Sequence, residues 1–251
     1  MRVRHRSTTP GGSTPSGTER ALSVRQAAFI GTGAMVGAGI FALLGAAGEV
    51  AGAAVWISFL LAGGVAVLQG YSFAKLGARY PSAGGFLEYV VQGWGTGHFT
   101  GVIAWLLFAV NAIITAMVAV SFGSYASAAV ADNPDWTKLF AVLVIVVMAG
   151  LNVLGSQAVA KVQTLVVVVV IGILTVFSVA TLANMNIELL AVSGYPSLAQ
   201  IVSSVALTFF AFLGFGVITF TAKDLADPQR QLPKAIYLAL GIATVVYVAV
   251  A

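Results

Sequence analysis

Seven apolar runs separated by short polar gaps dominate the pattern of hydrophobic and polar positions along the chain. Most are about 20 residues long, the length of an α-helix that crosses the hydrocarbon core of a bilayer. We therefore predict an all-α integral membrane protein with about seven spans, of which the fourth is the shortest. The predicted spans are Gln26–Ala47, Ala53–Leu76, Phe99–Val130, Leu139–Leu154, Val159–Leu182, Leu198–Ala222 and Ala235–Ala251.

The composition agrees with this pattern. Apolar residues occupy 59% of the 251 positions and charged residues 8%, and the mean hydropathy is +1.00. Soluble domains are about 45–50% apolar and about one quarter charged. The chain has no cysteine, which excludes disulfides, thiolate catalysis and cysteine metal sites.

The basic residues follow membrane topology, so the net charge of +4 does not indicate nucleic-acid binding. Eleven of the twelve lie in the tail before the first span or in the gaps after the second, fourth and sixth spans. The positive-inside rule then places these segments and the amino terminus in the cytoplasm. Residues 1–25 are rich in Ser, Thr, Pro, Gly and Arg, so we expect a disordered cytoplasmic tail and no secretory signal.

Glycines cluster inside two of the predicted spans. Gly33, Gly37 and Gly39 lie in the first span, and Gly214 and Gly216 lie in the sixth. The first cluster also fits the small-residue spacing that brings membrane helices close together, so packing is the alternative explanation. A matching cluster in a second span favours a broken helix instead, because paired interruptions are the best sequence pointer to a transporter's substrate site. A dinucleotide-binding fingerprint fails, since its third glycine is missing and no strand precedes it.

Two broken helices would offer complementary backbone groups. Amide N–H groups freed around Ala38, Gly39 and Ile40 would bind an anion, helped by the positive end of the outer half-helix. Carbonyl groups freed near Met35 would accept hydrogen bonds from a cation, as would those near Phe210 and Leu213 in the sixth span. A ligand with a carboxylate and an ammonium group on one carbon fits this pair of features. The predicted substrate is therefore an amino acid.

Four motifs together resemble those of the amino acid–polyamine–organocation (APC) superfamily of permeases. They are Gly33-Ala-Met-Val-Gly-Ala-Gly-Ile-Phe41, Tyr80-Pro-Ser-Ala-Gly-Gly-Phe86, Phe210-Ala-Phe-Leu-Gly-Phe215 and Lys223-Asp-Leu-Ala-Asp-Pro-Gln-Arg-Gln-Leu-Pro233. The resemblance implies the LeuT-like fold of two inverted five-helix repeats, with the first and sixth helices broken around the substrate. Residues 26–182 would then form the first repeat (spans 1–5), and residues 198–251 the start of the second (span 6 and part of span 7).

The resemblance also assigns roles to individual positions. The substrate's carboxylate would contact Ala38 and Gly39. Its ammonium group would contact the carbonyls of Met35, Phe210 and Leu213. Phe212 would cover the site, although core packing explains this and the neighbouring phenylalanines equally well. Where acid-resistance antiporters of this family carry a glutamate after the glycine of the sixth span, this chain has Gly216. The complete predicted substrate site is Met35, Gly37, Ala38, Gly39, Ile40, Phe210, Phe212, Leu213 and Gly214.

Lys161 has two interpretations. It resembles the lysine that proton-coupled relatives place where sodium-coupled transporters bind an ion, and desolvation would allow such a lysine to release its proton. Alternatively, it lies at the cytoplasmic edge of its helix and only anchors the topology. We predict the coupling role, in which the ammonium group would lie against the carbonyls near Gly31 and Gly33.

The sequence thus predicts a secondary active transporter of amino acids or related amines, driven by protons and located in the plasma (inner) membrane. Its predicted partners are a small-molecule substrate, protons and the lipid bilayer, and no nucleic acid. We expect no catalytic residue, metal or cofactor, because no span carries paired acids, a His–Glu pair or a nucleophile with a base. The last span stops inside an apolar run, so we expect a truncated chain. The alternative function is therefore a non-transporting paralogue or a membrane assembly partner.

Overall fold

The computed structural model describes residues 22–130, 133–183 and 194–251, and this part of the chain is almost entirely helical. Residues 1–21 of the predicted disordered tail lie outside the described residues. The first helix begins at Val24, two residues earlier than predicted, and Ser23 and Gln26 form a capping box at its start. The helices are α1 (Val24–Ala51), α2 (Val55–Arg79), α3 (Phe86–Trp94), α4 (His98–Val130), α5 (Thr137–Val153), α6 (Ser156–Ala183), α7 (Leu198–Phe212) and α8 (Pro228–Val250). Three 3-10 helices accompany them, at Gly52–Ala54, Pro134–Trp136 and Leu213–Asp224.

The prediction of seven spans is confirmed. Within the described residues, seven helical stretches are long and apolar enough to cross a membrane. They correspond to α1, α2, α4, α5, α6, α7 with the 3-10 helix that follows it, and α8. The sequence analysis missed α3, a helix of nine residues between the second and third spans. Its length is far below the roughly 20 residues needed to cross a bilayer.

The core of the molecule lies between α1, α2, α7, α8 and the 3-10 helix Leu213–Asp224. Its largest fully buried side chains include Phe59, Phe212, Phe215 and Tyr247. Small residues bring these helices together: a Cβ on Gly63 of α2, for example, would lie 2.7 Å from the Oγ1 atom of Thr244 in α8. By contrast, α4 and α5 pack mainly on each other and leave most of their apolar side chains exposed.

Hydroxyl groups connect the end of α1 and the first turns of α2 with α7. Ser58 Oγ donates to the carbonyl of Ile201 at 3.2 Å, and Thr208 Oγ1 donates to the carbonyl of Ser58 at 3.1 Å. Ser204 Oγ donates to the carbonyl of Ala47 at 3.3 Å. Interhelical hydrogen bonds of this kind hold membrane helices together where lipid offers no competing water.

The start of the first span and the end of the sixth lie on the same side of the molecule. The amide N–H of Leu22 donates to the carbonyl of Asp224 at 2.7 Å, and Leu22 forms an isolated parallel bridge with Leu225. This agrees with the charge pattern, which puts both segments on one side of the membrane. That this side is the cytoplasm stays a prediction.

Candidate substrate site

The first span runs through its glycine cluster without a break. Since α1 is one α-helix from Val24 to Ala51, the prediction that it is discontinuous at Gly37–Gly39 is wrong for this structure. In an uninterrupted α-helix, each interior N–H is paired with the carbonyl four residues earlier. The amides around Gly39 are therefore not free donors, and the carbonyl of Met35 is not released.

The glycines of α1 serve close packing instead. A Cβ on Gly33 would collide with Gln163 and Val167 of α6. A Cβ on Gly39 would lie 2.6 Å from the Cβ and 2.9 Å from the Cα of Ala211 in α7. Small residues allow membrane helices to approach this closely. Packing, the alternative considered for this cluster, therefore explains why these two positions are glycine without a break in the helix.

The sixth span changes its helix type where the sequence predicted an interruption. The α-helix α7 ends at Phe212, and the chain continues as a 3-10 helix from Leu213 to Asp224. Twelve residues are exceptional for this geometry, since 3-10 runs longer than about 3–4 residues are uncommon. The N–H of Leu213 donates to the carbonyl of Phe210. The carbonyl of Phe210 is thus paired within the span, contrary to the prediction that it is free.

The backbones of the first and sixth spans touch at this change of helix type. A Cβ on Gly214 would lie 2.6 Å from the carbonyl carbon of Ala34, 2.7 Å from its oxygen and 2.7 Å from the nitrogen of Met35. All three atoms belong to the backbone of α1. The two glycine-containing segments therefore face each other, as predicted, but in direct contact.

The structure brings together most, but not all, of the predicted site residues. Met35, Gly39 and Ile40 of α1 are buried, as is Phe212 of α7, whereas Leu213 is 40% exposed. Of the rest, Phe210 and Gly214 are half-buried and Ala38 belongs to the helical backbone of α1.

Gly37 lies on the opposite side of α1. It lines a cavity of about 230 Å³ between α1, α5 and α6, and a Cβ placed on it would meet no atom within 4 Å. The lining is mainly apolar, with Gln163 and Asn152 as its polar members. The Asn152 amide donates to the carbonyl of Met148 in its own helix at 2.8 Å. Gly37 and Gly39 are only two residues apart, but Gly37 faces this cavity and Gly39 faces α7.

Lys161 is exposed near the start of α6 and has no hydrogen bond or ion pair to any described residue. The α6 side chains that meet α1 at Gly33 are those of Gln163 and Val167. The expected contact between the Lys161 ammonium group and the carbonyls near Gly31 and Gly33 is thus not among the hydrogen bonds of this structure.

Tyr247 is the residue of this region that sequence analysis missed. Its side chain is fully buried in α8, and its hydroxyl group donates to the carbonyl of Ala211 at 3.1 Å. The ring packs against Phe59 and Phe212, with centroid distances of 5.2 and 5.0 Å. The available signal was a lone tyrosine among the aliphatic residues at the end of the seventh span.

An aromatic cluster closes the core on the side of α3. Its members are Phe73, Phe86, Tyr89, Phe215 and Phe220, joined by ring contacts with centroid distances of 5.4 to 6.2 Å. Aromatic pairs in such tilted and edge-to-face arrangements stabilise a contact beyond the area that they bury. The short helix α3 is therefore attached to both the second and the sixth spans.

The hydroxyl group of Tyr89 in this cluster is buried and has no hydrogen-bond partner of normal geometry among the described residues. Burial raises the pKa of Tyr89 to about 12, and the neighbouring Thr219 hydroxyl offsets this only in part. Thr219 itself donates to the carbonyl of Gly216 at 2.6 Å. Burial is therefore the main cause of the raised pKa of Tyr89.

The comparison with known families agrees with this architecture. The family described as "Amino acid permease" matches residues 26–251. The chain therefore belongs to the amino acid permease family, within the APC superfamily that the motifs indicated, and it is an integral membrane protein. The match supports the prediction of a transporter and not of an enzyme.

Individual relatives carry transporter names. The inner membrane transport protein YbaT of Escherichia coli is 36% identical over 225 residues, which cover 88% of this chain and 52% of that protein. The methylthioribose transporter of Bacillus subtilis is 26% identical (92% and 54% covered), and the vacuolar cationic amino acid transporter 4 of Arabidopsis thaliana is 29% identical (93% and 42% covered). The chain thus spans about half the length of the curated relatives that it matches.

Proposed function

We propose that the protein moves amino acids or related amines across the membrane as a secondary active transporter. Family membership supports a transporter in general. The names of the relatives cover amino acids and also methylthioribose, so the choice of an amino acid rests on the backbone chemistry of the site. We further propose a plasma membrane location, as for the E. coli relative named an inner membrane protein, with the amino terminus in the cytoplasm.

One observation carries the proposal: the first and sixth spans meet backbone to backbone in the buried core, at Gly39 and Gly214. Separation of the two spans, with local opening of the helices at the glycines, would free N–H and C=O groups that are paired within the helices in this structure. A zwitterionic amino acid has a partner for each. In this structure the two backbones are in contact, so a substrate would bind only after α1 and α7 separate.

The proposed substrate contacts are the predicted residues at this crossing. Met35, Gly39 and Ile40 lie on α1, and Phe212 and Gly214 lie at the change of helix type in the sixth span. The predicted members Ala38, Phe210 and Leu213 are their neighbours in sequence and would contribute backbone groups. Gly37 fits this set least, because it lines the cavity towards α6.

The decisive experiment is an uptake assay with the full-length gene product in proteoliposomes. The panel contains the twenty amino acids, putrescine and methylthioribose, each with and without a pH gradient. We expect pH-dependent uptake of at least one amino acid or amine. Uptake of methylthioribose alone would replace the proposed substrate class, and uptake of none would favour the non-transporting alternative.

Proton coupling by Lys161 is a separate proposal with its own test. If the ammonium group of Lys161 carries the transported proton, Lys161→Ala should abolish the pH dependence of uptake while substrate binding persists. Lys161→Arg should stop transport, because a guanidinium group does not lose its proton in the accessible pH range. Lys234→Ala, at another exposed lysine, is the control. Wild-type pH dependence in both Lys161 variants would reduce this lysine to a topological anchor.

A further inference from the structure

Tyr247 occupies the space in which the first and sixth spans meet. A Cβ on Gly39 would collide with both the Tyr247 hydroxyl group and Ala211. The hydroxyl oxygen therefore lies over the backbone of α1 at Gly39 while its proton is directed at the carbonyl of Ala211 in α7. A ligand held between these two backbones would need the same space.

The hydrogen bond from Tyr247 also provides a donor for a buried carbonyl of the sixth span. Ala211 lies in the last turn of α7, one residue before the α-helix ends at Phe212. Its surroundings are apolar, because the Phe59 and Phe212 rings enclose that of Tyr247 and all three are fully buried. A carbonyl in such a place is costly without a donor. Tyr247 supplies this donor in the structure.

We propose that the Tyr247 hydroxyl stands in for the ammonium group of the substrate. It satisfies the Ala211 carbonyl while the site is empty, and an incoming ammonium group displaces it and takes over the same carbonyl. This inference rests on the proposed function, since it deepens the assignment of the site to amino acids or amines. It makes Tyr247 a specificity-determining residue from the seventh span.

The chemistry explains the selectivity. A carbonyl oxygen only accepts hydrogen bonds, so it must be matched by a donor. A substrate with an ammonium group provides one and can replace the phenol, whereas a carboxylate without an amine cannot. Such a ligand leaves Tyr247 in place, because displacing it would leave the carbonyl without this donor, and it therefore binds more weakly, without a contact to Ala211.

The test compares wild-type protein with Tyr247→Phe, which keeps the buried ring and removes only the hydroxyl group. Kd is measured for each amino acid that the wild type binds and for the matching acid without its amine. Because the substrate no longer competes with the phenol, the variant should bind the amino acid about fivefold more tightly, the effect of one typical hydrogen bond. The affinity for the acid without an amine should not change. Tyr237→Phe, at a partly exposed tyrosine of the same helix, is the matched control.

A second measurement needs no substrate. When alanine is labelled with ¹³C at the carbonyl and phenylalanine with ¹⁵N, only Ala–Phe peptide bonds carry both labels. Residues 1–251 contain two such bonds, Ala28–Phe29 and Ala211–Phe212. In solid-state NMR, Tyr247→Phe should shift the ¹³C resonance of Ala211 and leave that of Ala28 in place.

The outcomes separate the two proposals. If the wild type binds no amino acid or amine, the proposed function fails, and the stand-in role fails with it even if the Ala211 resonance shifts. If the wild type binds amino acids but Tyr247→Phe binds them equally or more weakly, only the stand-in role is overturned. An equal gain for the acid without an amine would also overturn it, because the phenol would then obstruct the site without selecting for a donor.

Discussion

Gly214→Ala should force the first and sixth spans apart. In the structure, the added methyl carbon would lie 2.6–2.7 Å from three backbone atoms of Ala34 and Met35. Carbon atoms in favourable contact are about 3.5–4.0 Å apart, so the shortfall is about 1 Å. Because the atoms on both sides belong to the backbone, no side-chain rotation relieves the collision. The spans must separate by a comparable distance.

The expected cost follows from this displacement. Overpacking a well-packed core typically costs about 1–3 kcal/mol, and the gap opened beside the methyl group adds lost dispersion contacts. Gly216→Ala is a matched control, because it lies two residues further along the same 3-10 helix and its Cβ would meet nothing within 4 Å. We therefore expect Gly214→Ala to lower the free energy of unfolding by about 1–3 kcal/mol relative to Gly216→Ala.

The assay is an SDS titration in mixed micelles, followed by the fluorescence of the four tryptophans. Both variants are compared with the wild type under identical lipid and detergent conditions. Equal unfolding midpoints and slopes for the two variants would refute the reasoning, since they would show that the sixth span does not lie against the backbone of α1 at Gly214.

Three further predictions follow from the same structure. Gly39→Ala should weaken substrate binding, because its methyl group would occupy the crossing beside Ala211, whereas Gly37→Ala, which meets open space, should bind normally; equal loss in both, measured by uptake, would contradict the assignment. Tyr89 has a pKa raised from 10.0 to about 12, so its contribution to stability is present below pH 10 and lost as the pH rises towards 12; Tyr89→Phe should lack this loss in unfolding scans. Since the chain has no cysteine, a membrane-impermeant thiol reagent should label Asn133→Cys from outside the cell and spare Ser13→Cys, and the reverse pattern would invert the topology.

The candidate site shows where inference from the sequence stopped. The two glycine clusters correctly indicated the segments that meet, because glycine is the residue that allows backbones to approach. The same clusters did not distinguish a broken helix from a closely packed one. In α1 the glycines accommodate Gln163 and Ala211 within an uninterrupted helix, whereas in the sixth span the helix changes from α to 3-10 at Leu213. Both results satisfy the backbone hydrogen bonds that a membrane requires.

The sequence by itself determined the class, the number of spans and the segments that form the crossing. These properties follow from the length and polarity of each run, which the bilayer selects without reference to other helices. Only the tertiary structure decided that Tyr247 reaches the crossing, that Gly37 and Gly39 serve different surroundings, and that Gln163 rather than Lys161 meets Gly33. Each of these depends on which faces of separate helices meet, and uniformly apolar spans carry no polar stripe that predicts their orientation.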